Sequence, residues 1–269
     1  MKLFVALALV VTACGATSSG ARFDITPPAA APEVTPARAS SPEVGVVLML
    51  SDAIANLQLS KDQNAQVAAL VHDLQEGHRR IEEVRKQLSL DVASSVEAGT
   101  IDDKGLRADA EGLGRARAES APNDAKALEE LHRILTPDQR KQFSAALAAR
   151  ADKLPSDDAQ TRYGNWRSDL EISLEQNEKI EPKLDADGSL ATSAHAERDA
   201  WRRRLHATAA DFANDTYSAN AYADPDVVAT TVERVRRLVG FMNVVVPLLT
   251  PEQRKTAASN LRAEVGVQP

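Results

Sequence analysis

Leu135-Thr136-Pro137-Asp138-Gln139 is one of four copies of a five-residue pattern: apolar, Ser or Thr, any residue, Asp or Glu, Gln. The others are Leu59-Ser60-Lys61-Asp62-Gln63, Ile172-Ser173-Leu174-Glu175-Gln176 and Leu249-Thr250-Pro251-Glu252-Gln253. Ser or Thr followed three residues later by Gln is a capping box. The hydroxyl accepts from the backbone N–H of the third helical residue, and the glutamine side chain reaches back to the cap. Pro137 and Pro251 fall at the first helical position, where the missing N–H has no partner to lose. Asp62, Asp138, Glu175 and Glu252 stand in the first turn, where the helix dipole favours negative charge. Each copy therefore predicts a helix start, and its role reads as structural rather than catalytic.

The spacing organises the chain. Leu59 and Leu135 are 76 residues apart, Ile172 and Leu249 are 77 apart, and the two pairs are offset by 113 or 114. Asn64 and Asn177 follow the first copy of each pair, and Arg140-Lys141 and Arg254-Lys255 follow the second. Two tandem units result, 45–153 and 164–269, with a joint at 154–163. Behind the caps run helical seams. Val67, Leu70, Leu74, Gly77, Ile81, Val84 and Leu88 alternate steps of three and four, as do Val228, Val232, Val235, Val239, Met242, Val246 and Leu249. A third stretch covers 194–222, with Trp201, Leu205 and Phe212 on one face. Gly99 ends the first long helix and Asp102 or Asp103 starts the next. Pro182 and Gly188 predict that the second unit's first helix is short or kinked. The fold class is all-α: two tandem units of long helices in antiparallel hairpins.

Composition agrees. Of 269 residues, 43% are hydrophobic and 26% charged, a globular balance, while 4% aromatic residues and 12 glycines are too few for a β-rich fold. The net charge of −7 argues against a general nucleic-acid binder.

The N-terminus predicts an address. An apolar run over 3–11 is too short to span a membrane but suits a secretory leader. Val11-Thr12-Ala13-Cys14 resembles a bacterial lipobox, with the chain's one cysteine where lipidation requires it. The resemblance implies a leader over 1–13, lipidation of Cys14 and anchoring on a periplasmic membrane face. Gly15 rather than aspartate follows the cysteine, which favours the outer membrane over the inner. Residues 14–44 carry five of the thirteen prolines among Ala, Ser and Thr and read as a disordered tether.

The chain resembles the Spy/CpxP family of periplasmic proteins, named for LTxxQ motifs. Ile134 to Phe143 carries the strongest match and Leu249 to Lys255 a second. The resemblance implies long-helix hairpins that pair as a curved antiparallel dimer, so that two fused copies are expected to form an internal pseudo-dimer and a monomer in solution. It also implies ATP-independent chaperoning of unfolded proteins, modulation of envelope stress or, in relatives, metal sensing. The best-known chaperone of the family is basic, whereas this chain is acidic.

Three functions follow as expectations. A chaperone needs adaptable charged and apolar surface, and the candidate client-facing clusters are Arg79-Arg80, Arg202-Arg203-Arg204 and Arg234 with Arg236 and Arg237. Each cluster also has acidic neighbours that would make it an ordinary solvated helix face. A metal buffer would use His72, His78, His132, His195 or His206, yet neither helical pair, six or eleven apart, can share an ion. A structural or signalling module would dock a dedicated envelope partner through a helix face. Phosphate loops, nucleophile elbows and paired metal-ligand motifs are absent from the sequence, so no enzyme and no cofactor are expected.

Overall fold

The computed structural model describes residue 54 and residues 57–152, 166–186, 189–222 and 225–267. The leader, Cys14, the tether and the joint at 154–163 lie outside the described residues. The fold is all-α: α1 (Lys61–Ala98), α2 (Asp103–Ile134), α3 (Pro137–Asp152), α4 (Leu174–Ala186), α5 (Ser189–Phe212), α6 (Val227–Val245) and α7 (Pro251–Glu264). Short 3-10 turns occupy Ala219–Tyr222 and Val246–Leu248.

The first two helices form a hairpin whose turn is written in the sequence. Gly99 adopts φ 75°, and its N–H and that of Thr100 return to the carbonyls of Val96 and Ser95. This is the left-handed C-terminal cap that glycine permits. Asp102 then caps α2 by accepting from the Gly105 N–H at 2.9 Å. Gly77 lies within α1 without ending it, at an exposed position where a Cβ would meet nothing within 4 Å. Pro122 likewise leaves α2 one helix of 32 residues. In the second unit the first helix is short: α4 ends at Ala186 with Pro182 inside it and α5 starts at Ser189, while Gly188 lies outside the described residues.

One expected boundary is corrected. The stretch over 194–222 is not one helix, because α5 stops at Phe212. Asn214, Asp215 and Thr216 make the turn, with the Asn214 N–H bonded to the Asp211 carbonyl at 3.2 Å. The Asn214 carbonyl is taken by His132 Nε2 at 2.8 Å.

Packing joins the two units reciprocally. Besides α1 on α2, the extensive contacts are α2 on α6, α3 on α5, and α7 on α1. The last helix of each unit thus lies on a long helix of the other. Gly114 permits the α2–α6 approach, since a Cβ there would come within 2.8 Å of the Val228 Cα. Beside it, Arg117 Nη1 lies 3.4 Å from Thr231 Oγ1.

Two cores result. One gathers Val67, Leu131, Leu135, Phe143, Leu147, Leu205 and Ala209. The other gathers Ile180, Val245, Leu249, Ala257, Leu261, Val92 and Val96. Taken in order, each residue of the first set stands 113 or 114 positions from its counterpart in the second. The motif offset is therefore also the offset of the cores. The seam residues predicted on α1 and α6 are buried or half-buried, apart from Gly77.

Candidate functional site

The four motifs meet in two pairs. Each is a complete capping box: the hydroxyls of Ser60, Thr136, Ser173 and Thr250 accept from the N–H of Gln63, Gln139, Gln176 and Gln253 at 3.1–3.4 Å. Each glutamine Oε1 accepts from its own cap N–H at 2.9–3.0 Å. That much follows from the local pattern.

The pairing across the unit does not. Gln63 Nε2 donates to Gln139 Oε1 at 2.8 Å and to the Ile134 carbonyl at 2.8 Å. Gln139 Nε2 donates back to Gln63 Oε1 at 3.1 Å and to the Gln58 carbonyl at 2.8 Å. The second unit repeats this. Gln176 Nε2 donates to Gln253 Oε1 and the Leu248 carbonyl, both at 2.8 Å. Gln253 Nε2 donates to Gln176 Oε1 at 3.1 Å and the Leu170 carbonyl at 3.0 Å.

Both amides of each pair thereby use two donors and two acceptances, a closed clasp between helix starts 76 or 77 residues apart. Glutamate would keep the acceptances and lose the donations. The apolar first residues of the motifs, Leu135 and Leu249, enter the cores beneath, while Leu59 and Ile172 pack half-buried against them. The basic residue after the motif also reaches a carbonyl: Arg140 Nε to His132 at 2.9 Å, and Arg254 Nη1 to Leu249 at 3.0 Å.

Residues 50–147 match the LTXXQ motif family. The span of this match to "LTXXQ motif family protein" holds the first clasp and stops before the second. No curated protein and no solved structure matches the chain. The LTXXQ pattern of the second unit therefore rests on its own residues and on the repeated clasp.

The basic clusters stand on three different helices, α1, α5 and α6. Arg79 pairs with Glu76 at 3.2 Å and Arg80 with Glu119 at 3.6 Å, all well exposed. Arg202 pairs with Asp199 at 2.8 Å, Arg203 is exposed, and the Arg204 guanidinium stands 5.7 Å from the Trp201 ring centre. Arg236 pairs with Glu233 at 2.8 Å. Arg234 and Arg237, nearly buried, both bind Glu197 of α5 from α6.

The histidines are likewise dispersed. His72 is exposed, His206 Nε2 lies 3.0 Å from Asp152 Oδ1, and the side chain of His195 is not among those described. His132 is buried between the Phe212 and Tyr217 rings, and that burial holds its pKa below the usual imidazole range. Among the described residues, no three His, Cys, Asp or Glu side chains come together as a metal group.

The sequence reading missed one buried polar pair. His78 Nε2 stands 2.6 Å from Asp124 Oδ1 between α1 and α2, and Ser120 Oγ donates to the same oxygen at 3.2 Å. The serine bonds the carboxylate and not the histidine, so this is a satisfied interhelical pair and not a nucleophile relay. His78 directly follows Gly77 of the apolar seam. No local signal linked it to a carboxylate 46 residues away.

Proposed function

We propose that the protein is a lipid-anchored periplasmic relative of the Spy/CpxP type. It holds unfolded envelope proteins without ATP, as part of the response to envelope stress. The observation that carries this reading is the LTXXQ match over 50–147 together with recurrence of the glutamine clasp in both units. Reciprocal docking of α3 and α7 supports the view that one chain supplies internally what a pair of single-unit chains would supply by dimerising.

The exposed ion pairs suit promiscuous binding. Pairs such as Arg79–Glu76 and Arg80–Glu119 are worth only about 0–1 kcal/mol each, so either partner can be exchanged for a client charge at little cost. Salt should weaken such binding.

The test is aggregation of several unrelated denatured proteins with and without residues 45–269, without ATP, at low and moderate salt. Suppression near stoichiometric ratio across unrelated clients, weaker at moderate salt, is expected. Failure with every client would defeat the chaperone reading and favour a module that docks one dedicated envelope partner. The anchor is tested separately: Cys14→Ser should leave the membrane fraction. Continued membrane partitioning of the processed variant would overturn it.

A further inference from the structure

The two reciprocal docking helices are unequal. Helix α3 presents Phe143, Leu147 and Ala151, and Phe143 meets Phe212 of α5 with ring centres 4.4 Å apart. His132 and Tyr217 extend that aromatic cluster, each ring centre within 5.1 Å of Phe212. A serine of α3 adds a buried tie, Ser144 Oγ to the Ala209 carbonyl.

Helix α7 holds the corresponding place on α1 with smaller groups. Ala257 stands where α3 has Phe143, beside Ala258, leaving Leu261 as its one large fully buried apolar side chain. Where α5 ends in Phe212, α1 ends near Gly99, over which the Arg254 guanidinium lies 3.1 Å from the Cβ position. The rest of the attachment includes the Arg262–Glu97 ion pair, partly open to solvent. Apolar burial sets the strength of helix docking and exposed pairs add little. Beneath α7, Leu88, Val92, Ala93 and Val96 of α1 belong to the core that Ala257, Ala258 and Leu261 complete.

We propose that α7 is a strap that lifts from α1 while the rest of the molecule stays folded, uncovering apolar surface between Leu88 and Val96. Helix α3 is its built-in control: it has nearly the same length, the same place in its unit and the same kind of cap. Local opening of this sort draws on segments with few large buried contacts.

Hydrogen exchange on the full chain reads the difference directly. The amides of 252–264 should exchange at least tenfold faster than those of 138–152, by an opening that depends little on denaturant. Equal rates with one shared denaturant slope would mean that α7 opens only when everything unfolds, and would overturn the strap. Two variants guard the result. Arg262→Gln should speed exchange in α7 several-fold and leave α3 unchanged, whereas equal acceleration of both helices would count against it. Phe143→Ala should bring α3 towards the exchange rate of α7, and failure to do so would remove the anchor argument.

Discussion

A glutamine does two jobs in each of the four capping motifs, and a single substitution separates them. Its oxygen caps its own helix and its amide nitrogen binds the other motif of the unit. Gln63→Glu keeps the first and abolishes the second, setting a charge against the Gln139 oxygen and the Ile134 carbonyl. Loss of a part-buried donor typically costs about 1–3 kcal/mol. The urea midpoint of Gln63→Glu should fall accordingly; an unchanged midpoint would mean that capping alone matters. The cap was legible because it is local, written within four residues. The clasp left only an indirect trace, the near-equal spacings of 76 and 77, since no periodicity reveals which two glutamines face each other. The His78–Asp124 pair left none.

Titration at Glu264 is a second residue-scale matter. Burial pushes its carboxyl up to about 8, with Arg85 opposing the rise. The unfolded chain sheds this proton near 4.5 and the folded protein holds it to about 8. The stability this group contributes is thus complete below about 4.5, is lost as pH rises through that window, and is level above about 8. Glu264→Gln should flatten part of the fall in urea midpoint between pH 5 and 8. A variant with the same pH profile as the parent would exclude the group.

At the scale of elements, breaks and starts were readable where glycine, proline or a capping residue marks them. Gly99 and Asp102 stand where their residues put them. The end of α5 at Phe212 was misread, because the apolar spacing continues past a turn that Asn214 and Asp215 impose. Which helix lies on which was not legible at all: an apolar face states that it needs cover and does not name the cover. Gly114 carries part of that hidden information. Gly114→Leu would force α2 from α6 at the Val228 backbone, and overpacking of this kind costs about 1–3 kcal/mol. Thermal unfolding should register that loss. Gly77→Leu, at an open position, should register none.

At the scale of the whole molecule, the exchange of terminal helices ties the units together more firmly than a tether could. A protease site placed within 154–163 and cut after folding should leave the two fragments migrating as one 1:1 species in sedimentation. Separation at micromolar concentration would mean that the reciprocal contacts are weaker than their burial implies. The motif offset was legible, and the same offset relates the cores residue by residue. The exchange itself was not legible, because a unit packed on itself and a unit packed on its neighbour bury the same positions.

That exchange also sets a timetable. The core around Phe143 needs Leu205, Phe212 and Ala219, and the core around Leu88 needs Ala257 and Leu261. A chain emerging from its N-terminus has no finished core until residue 219 is out and no second core until residue 261 follows. Contacts so distant in sequence are slow to form. The nascent chain therefore stays pliable until residue 219 has emerged, and α7 is the last of the described helices to add its cover.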